Sequence, residues 1–349
     1  THDRMNFEVY VYSLGPTKDD DMRKRLIKAF DVFDNVSNMN DKDIALLVRQ
    51  DNIDIAIDLT GHTLNSRPGV FAYRAAPVQI NYLGFPATMG SEVIDYIIGD
   101  PVVIPIGYEK YYSEKILRLP NTYMPTDNTR AISTHLISRS EMGLPESGFV
   151  FCCFNNNYKI SPREFDIWMR VLLQVEESVL WLRSSNTLSE TNLRSQAATR
   201  GVAPSRLIFA ARVPMDEHLA RHKMADLFVD TFNYNAHTTA SEALWAGLPV
   251  VTKAGEGFSA RAAASLLSAV GLSELITNTE QDYEALILHL ASNSERLKQI
   301  RKKLVDNRLT TPLFDTTLYT KHLENGYQQA YQRYFDGGLP KDISVPKGC

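Results

Sequence analysis

The feature that most constrains the fold of this chain is a repeated alternation of short apolar runs with helix-length amphipathic patterns. The alternation begins with FEVYVYSL at residues 7–14, and it restarts in the second part of the chain with FVFCCF at residues 149–154. Short strands that alternate with helices are typical of parallel sheets whose faces are covered by helices. The sequence therefore predicts an α/β fold in which each part of the chain forms a doubly wound sheet.

The length of the chain indicates two domains, because 349 residues exceed what one ordinary core accommodates. The segment LPNTYMPTDNTRAIS, residues 119–133, is rich in Pro, Asn, Thr and Asp and lacks periodicity, so we place the domain boundary at its end. We predict an N-terminal lobe at residues 1–133, a C-terminal lobe at 134–315, and a C-terminal helix and tail at 316–349. The two lobes are expected to face a cleft at the carboxyl ends of their strands, where open α/β sheets bind ligands.

Composition and missing motifs argue against several classes of protein. A formal net charge of −4 disfavours a nucleic-acid or anionic-membrane partner held by bulk charge. The three cysteines, Cys152, Cys153 and Cys349, do not make a disulfide framework, and no apolar stretch is long enough to span a bilayer, so we expect a cytoplasmic protein. The sequence lacks a P-loop, a G-x-G-x-x-G motif at the start of the first domain, a C-x-x-C pair and an H-E-x-x-H motif, which disfavours an NTPase, a dehydrogenase or a metalloprotease.

A buried strand pattern ends abruptly in polar residues within FVFCCFNNNYKISP, residues 149–162. Lys159 lies between this strand end and a helix start, where Ser161, Pro162 and Glu164 form a capping-box pattern. A lysine beside the free N–H groups of a helix N-terminus can bind an anion. The alternative is a solvated polar loop without a ligand.

A second strand end lies within DLFVDTFNYNAHTTASEALWAG, residues 226–247. His237, Thr238 and Thr239 open a helix there, and hydroxyls together with backbone N–H groups at a helix N-terminus form an anion site. Glu242, one turn further on, can accept hydrogen bonds from the paired hydroxyls of a ribose. The alternative makes Thr238 an ordinary helix cap and Glu242 a partner of the helix dipole.

Weaker candidates lie near other strand ends. His218 is on a helix that follows the strand RLIFAAR, and a surface histidine is the simpler interpretation of it. His62, in DLTGHT, follows a strand and a glycine and can face the cleft. Gly255 and Gly257 precede another helix, which is a common arrangement.

Taken together, these motifs resemble the catalytic region of the O-linked N-acetylglucosamine transferases and their SPINDLY-like relatives. The resemblance is ordered along most of the chain, through RAAPVQINYLGFPATMG, DYIIGD, YSEKILRLP, FNNNYKISP, SVLWLRS, RLIFAARVPMDEH, DTFNYNAHTTASEALWAGLPVVT and PLFDTTLYTKHLE. It implies a GT-B fold of two Rossmann-like lobes, the second of which holds most of a nucleotide sugar. It also implies inverting, metal-independent transfer of the sugar to Ser or Thr of a protein, with no cofactor besides the donor.

The resemblance also implies roles for residues of this chain. Lys159 matches a lysine that stabilises the diphosphate leaving group, and His62 lies in a motif similar to one in the family's first lobe, so both are candidate catalytic residues. The residues that match donor contacts of the family are Asn156, His218, His237, Thr238, Thr239 and Glu242. Asn156 stands where the transferases carry a glutamine, and Glu242 stands where the animal enzymes carry an aspartate.

The sequence leaves the donor and the activity open. UDP-N-acetylglucosamine is the expected donor, whereas SPINDLY-like relatives use GDP-fucose and a bacterial relative glucosylates asparagine. Active relatives carry a first βα unit with a histidine, and TPR helices before it, and neither is present in this sequence, so we expect an incomplete first lobe and a longer parent chain. A module that binds a nucleotide or a protein without transfer is the alternative from another class.

Overall fold

The computed structural model describes residues 1–135 and 137–348. The chain divides into two compact units, one formed by Thr1–Tyr123 together with the C-terminal residues from Thr317, and the other by Met124–Thr316. The sequence analysis places its boundaries after residues 133 and 315, whereas the units divide after residues 123 and 316. Cys349 lies outside the described residues.

The strands of the described residues, numbered in chain order, are β1 Tyr10–Ser13, β2 Val32–Asn35, β3 Ile55–Asp58, β4 Val78–Asn81, β5 Tyr96–Gly99, β6 Lys115–Arg118, β7 Val150–Cys153, β8 Val179–Arg183, β9 Leu207–Ala210, β10 Leu227–Val229, β11 Val250–Lys253, β12 Ile276–Thr277 and β13 Ile343–Ser344. The α-helices are α1 Asp21–Ala29, α2 Asp41–Gln50, α3 Gly69–Ala72, α4 Pro162–Gln174, α5 Thr187–Ala198, α6 Met215–Arg221, α7 Thr238–Trp245, α8 Ala262–Ala269, α9 Glu280–Ser292, α10 Ser294–Asn307 and α11 Thr316–Phe335. Within the described ranges, no helix has both the length and the apolarity that crossing a membrane requires.

The first unit contains a parallel sheet with the strand order β13-β6-β5-β4-β3, and β1 pairs with β2 in a second parallel pair. The C-terminal helix that the sequence predicts from residue 316 is α11. Its residues Tyr319, Leu323 and Tyr327 are buried in one apolar cluster with strand residues that include Leu117. A Cβ at Gly326 would lie only 2.6 Å from Cδ2 of Leu117, so α11 packs so closely on β6 here that a larger residue would displace the Leu117 side chain.

The second unit contains a parallel sheet with the strand order β12-β11-β10-β7-β8-β9. Read from its other edge, this is the 3-2-1-4-5-6 order of a Rossmann fold, and the order reverses between β7 and β10. All residues of β7 and β10 are buried, as expected for central strands covered by helices on both faces. The predicted α/β class is therefore confirmed, and the switch point marks the carboxyl ends of β7 and β10 as the place for a ligand.

The loop that follows β7 ends at a well-defined helix start. The capping box predicted from Ser161 and Glu164 is present, with Pro162 in the first helical position of α4. The Ser161 backbone N–H donates to Glu164 Oε1 at 2.6 Å, and the Ser161 hydroxyl also contacts this carboxylate. Because Glu164 is fully buried, the cap fixes the point at which the polar loop enters the helix.

Candidate functional site

Two polar loops meet at the switch point of the second sheet. Asn155, just past β7, is buried, and its Nδ2 donates to Asp230 Oδ1 at 3.1 Å and to Thr231 Oγ1 at 2.8 Å. Its Oδ1 accepts a hydrogen bond of 2.5 Å from Thr239 Oγ1 at the start of α7. The side chain of Asn155 therefore joins the end of β7, the end of β10 and the beginning of the helix that follows β10.

Lys159 is the last residue of a short 3-10 helix, Asn157–Lys159, in the loop after β7. Its Nζ donates to the backbone carbonyl of Asn235 at 3.1 Å and lies 3.9 Å from the centroid of the Tyr234 ring. Burial lowers the pKa of Lys159 to about 8, although the negative charge of Asp230 opposes this shift. The amine is still mostly protonated at pH 7, and because both contacts are with neutral groups, its charge remains available to an anion.

Asp230 is a fully buried carboxylate immediately after β10. Burial raises its pKa to about 6, and the shift is limited by hydrogen bonds from Thr252, Ala236 and Thr231 and by the charge of Lys159. The side chain is therefore mostly ionised at pH 7. The sequence analysis did not single out this residue, because an aspartate at a strand end reads as an ordinary loop residue.

The N-terminus of α7 lies directly beside these groups. His237 is its N-cap residue; its ring stacks on Tyr234 with a centroid distance of 4.8 Å, and its Nε2 is 3.1 Å from the Ser259 carbonyl. Because a carbonyl only accepts, Nε2 carries the hydrogen. Burial, followed by the charge of Lys159, lowers the pKa of His237 to about 4, so the imidazole is neutral at pH 7. Thr238 is exposed at the first helical position, where backbone N–H groups have no partner within the helix.

Glu242 is buried one turn into α7, where its carboxylate contacts an imidazole and a guanidinium. Its Oε2 is 3.4 Å from His218 Nε2, and its Oε1 is 3.8 Å from Arg130 Nη1. The other ring nitrogen of His218, Nδ1, is 2.6 Å from Arg221 Nη2. The His218 side chain is only 14% exposed, so the interpretation of His218 as a surface histidine is wrong. The structure therefore brings His218 and Glu242 into contact, with an arginine on either side.

The asparagines of the site differ in what they contact. Asn156 accepts a hydrogen bond from the guanidinium of Arg183, and its Nδ2 is 3.4 Å from the Tyr158 hydroxyl. The side-chain carbonyl oxygens of Asn157 and Asn235 are buried and have no hydrogen-bond partner among the described residues. Buried polar atoms without a partner are uncommon in folded proteins.

His62 belongs to the first unit and lies just past β3. Its side chain is exposed, its Nε2 is 3.1 Å from the Met89 carbonyl, and its ring meets Phe85 edge-on at 5.3 Å. The loop is tightly packed, because a Cβ at Gly61 would lie 2.3 Å from Cβ of Phe85. The imidazole is thus fixed in orientation by one hydrogen bond and one ring contact.

The part of the chain that the structure describes contains no group of three or more His, Cys, Asp and Glu side chains arranged to hold a metal ion. At the start of α7 the candidate site presents the ammonium group of Lys159, hydroxyl and backbone N–H donors, with the buried carboxylate of Asp230 behind them. The ammonium group and these donors can bind an anionic ligand.

A comparison with models of protein families identifies the family to which the chain belongs. The family model described as glycosyl transferase family 41 matches residues 1–140 and 126–323. The chain belongs to glycosyl transferase family 41. Among curated relatives, the probable UDP-N-acetylglucosamine–peptide N-acetylglucosaminyltransferase SEC of Arabidopsis thaliana is 37% identical over 99% of this chain, and the SPINDLY protein of Petunia hybrida is 31% identical over 97%. The UDP-N-acetylglucosamine–peptide N-acetylglucosaminyltransferase of Caenorhabditis elegans is 27% identical over 98%. The chain spans 36–39% of the length of these relatives.

Two solved structures have a fold similar to that of this chain. A mutant of the Thermobaculum terrenum O-GlcNAc transferase superposes with a TM-score of 0.90 at 32% identity, over 96% of this chain and 64% of that one. The Anabaena protein HepE, solved in complex with UDP, has a TM-score of 0.60 at 15% identity, over 92% of each chain. The second likeness shows the fold alone, and together they confirm the GT-B class expected from the sequence.

The family-41 chain gathers most of the residues that the sequence analysis proposes for the donor site. Lys159, His237, Thr238 and Thr239 surround the switch point of the second unit. His218, on α6, contacts Glu242, on α7. Sequence reasoning missed Asp230, Tyr234, Arg130 and Arg221, and it treated Asn155 only as one of the polar residues that end the strand. Their common signal is a polar or aromatic residue within a few positions of a strand end or of a proposed site residue, which is too frequent to select them.

Proposed function

We propose that this chain is the catalytic region of an inverting protein O-glycosyltransferase whose donor is a nucleoside diphosphate sugar. The proposed donor is UDP-N-acetylglucosamine, and the proposed acceptor is a Ser or Thr hydroxyl of a protein. The names of the relatives in Arabidopsis thaliana and Caenorhabditis elegans support this donor and this class of acceptor. The observation that carries the proposal is the position of Lys159, a partly buried ammonium group at the switch point beside the start of α7.

In the proposed reaction, Lys159 acts on the diphosphate. The acceptor hydroxyl attacks the anomeric carbon of the sugar while the bond from that carbon to the β-phosphate oxygen breaks, and the electron pair leaves with UDP. Negative charge therefore grows on the departing diphosphate. We propose that Lys159, beside the first N–H groups of α7, stabilises that charge together with them. Removal of one such preorganised donor typically costs about 3–4 kcal/mol in the transition state.

The nucleoside end of the donor is proposed to bind along α7. Glu242 accepts hydrogen bonds from the ribose hydroxyls, while His218, held by Arg221 Nη2 at 2.6 Å, presents its ring to the nucleobase. Asn156 is proposed to lie near the diphosphate, where its contact with Arg183 adds a second cation close by. Phe154, whose ring centroid is 5.4 Å from that of His218, supports the imidazole from behind.

We propose that His62 is the general base for the acceptor hydroxyl. With its Nε2–H directed to the Met89 carbonyl, the neutral ring has its lone pair on Nδ1, which can receive the hydroxyl proton of an acceptor. We also propose a cytoplasmic location, which the free buried thiols of Cys152 and Cys153 support.

The proposal is tested by calorimetric titration of the chain with UDP and, in parallel, with GDP. We expect UDP to bind and Lys159→Ala to weaken the binding at least tenfold. Lys303→Ala is the matched control, because Lys303 lies on α10 and pairs with Glu274 at the protein surface. Preference for GDP would replace the proposed donor by a guanosine diphosphate sugar, and absence of binding to either nucleotide would refute the proposed function.

Addition of UDP-N-acetylglucosamine then tests the reaction. Release of UDP in the presence of an acceptor protein, lost in Lys159→Ala and retained in Lys303→Ala, is the expected result. Tight UDP binding without turnover under any acceptor condition would favour the binding module over the transferase.

A further inference from the structure

One peptide group connects the buried carboxylate of Asp230 with the ammonium group of Lys159. The backbone N–H of Ala236 donates to Asp230 Oδ1 at 2.7 Å. The carbonyl of Asn235, which belongs to the same peptide group, accepts the hydrogen bond of 3.1 Å from Lys159 Nζ. Because a peptide group is planar, holding its N–H also fixes the direction of its carbonyl. The carboxylate and the ammonium therefore act on the two ends of one rigid dipole.

The carboxylate of Asp230 is itself held from several elements. Its Oδ1 also accepts from the Thr231 N–H at 2.8 Å and from Asn155 Nδ2 at 3.1 Å. Its Oδ2 accepts from Thr252 Oγ1, in β11, at 2.7 Å. Asp230 is fully buried, so these bonds are protected from water. The carboxylate thus links the ends of β7, β10 and β11 to the peptide group of Asn235 and Ala236, whose carbonyl accepts from Lys159.

We propose that Asp230 is a positioning residue for Lys159, which it orients through the peptide group between Asn235 and Ala236 and whose positive charge it supports. The inference rests on the proposed function, in which Lys159 binds the diphosphate. Asp230 touches neither donor nor acceptor in this scheme, and its role is to keep the amine charged and correctly placed before a donor arrives.

The electrostatics of the surrounding groups agree with this role. The charge of Asp230 opposes the fall in the pKa of Lys159 that burial causes, and the charge of Lys159 opposes the rise in the pKa of Asp230. Other titratable groups around the pair are the Cys153 thiol, the Glu164 carboxyl, the His237 imidazole and the phenols of Tyr234 and Tyr283. Burial favours the neutral form of each of them. Asp230 is therefore the group best placed to supply negative charge to Lys159.

The test measures how fast the Lys159 amine is acylated by a small amine-reactive ester, with the modified peptide quantified by mass spectrometry. Only the unprotonated amine reacts, so the rate reports the pKa of Lys159 without any nucleotide. Asp230→Asn removes the charge and should lower this pKa; a fall of one unit from about 8 makes acylation at pH 7 about fivefold faster. Asp226→Asn is the matched control, because Asp226 lies at the amino end of β10 and accepts from Val150 N–H and Arg139.

A second variant keeps the inference testable if Asp230→Asn does not fold. Thr252→Val keeps the volume of the side chain and the aspartate, but removes the hydrogen bond to Oδ2. That bond lowers the pKa of Asp230, so its loss leaves more Asp230 neutral near pH 6.5. We expect Lys159 to be acylated about twofold faster than in the wild type at that pH, with the two rates converging at pH 8.

UDP affinity separates this inference from the proposed function. Weaker UDP binding in Asp230→Asn or Thr252→Val, together with faster acylation, supports the positioning role. Unchanged acylation in every variant that folds overturns it, even if UDP binds and Lys159→Ala abolishes that binding. Faster acylation in a protein that does not bind UDP at all leaves the coupling of Asp230 to Lys159 supported and refutes the proposed function instead.

Discussion

Replacing Lys159 by methionine is expected to stabilise the second unit at pH 7 while it removes UDP binding. The pKa of Lys159 falls from 10.5 to about 8 on folding, so the charged amine is less favourable in the native state than in the unfolded chain. At about 1.4 kcal/mol per pKa unit, the disadvantage is at most about 3 kcal/mol. Methionine fills a similar volume but loses the hydrogen bond to the Asn235 carbonyl and the contact with the Tyr234 ring, which together offset about 2 kcal/mol. A net gain of about 1 kcal/mol remains.

The stability difference between the wild type and the methionine variant should depend on pH. Between pH 8 and 10.5 the unfolded chain binds a proton on Lys159 that the folded chain has released, so wild-type stability rises through this window. The methionine variant has no such group. Its advantage should therefore be complete below pH 8 and should shrink towards zero, or reverse, as the pH rises to 10.5.

Urea unfolding followed by tryptophan fluorescence measures this difference. Trp168, Trp181 and Trp245 are the three tryptophans of the sequence, and all lie in the second unit, so the signal reports the unit that carries Lys159. Lys303→Met, at a surface ion pair on α10, controls for general effects of removing a lysine. A variant that is less stable at pH 7, or a gain that does not vary with pH, would show that burial does not disfavour the charge as we argue.

Three further predictions follow from the packing and polar contacts of the two units. Glu242→Gln should weaken UDP binding about tenfold and weaken 2′-deoxy-UDP binding less, because the carboxylate is proposed to bind the ribose hydroxyls; equal losses in calorimetry would contradict this. Gly326→Ala should destabilise the first unit by about 1–3 kcal/mol, measured by urea unfolding with far-UV circular dichroism, because the new Cβ would lie 2.6 Å from Leu117 Cδ2. Ser161→Ala should lower the stability of the second unit by about 1 kcal/mol in the fluorescence assay, and an unchanged midpoint would mean that the capping box adds nothing.

The elements of this fold are accessible to sequence reasoning where local patterns define them. The alternation of apolar runs and amphipathic segments predicts parallel α/β units, and Ser161 with Glu164 marks the start of α4 to the residue. β13 could not be found in this way, since its two residues, Ile343–Ser344, are too few for a period. Its pairing with β6 depends on where α11 brings the chain.

The contacts of the candidate site are predictable only in part, because they depend on strand order. Lys159 and His237 stand out as polar residues next to helix starts, which is a local signal. The bond between Asn155 and Asp230 joins residues 75 positions apart and exists because β7 lies beside β10. His218 shows the same limit: its helix is readable, but its contact with Glu242 requires α6 and α7 to be placed together.

Lys159 and Asp230 are both charged side chains in a buried environment, which a loop with a purely structural role does not need. Burial lowers the pKa of Lys159 and raises the pKa of Asp230, so it favours the neutral form of each side chain. Both side chains are nevertheless mostly charged at pH 7. Replacing such a pair by apolar residues is commonly neutral or stabilising, so stability alone does not explain two opposite charges held at the two ends of one peptide group. An anion that binds Lys159 would gain from both features, since the amine is already weakly hydrated and already oriented by the Asn235 carbonyl. The arrangement therefore supports the proposed diphosphate site, and the Lys159→Met experiment tests whether the second unit becomes more stable when the proposed anion contact is removed.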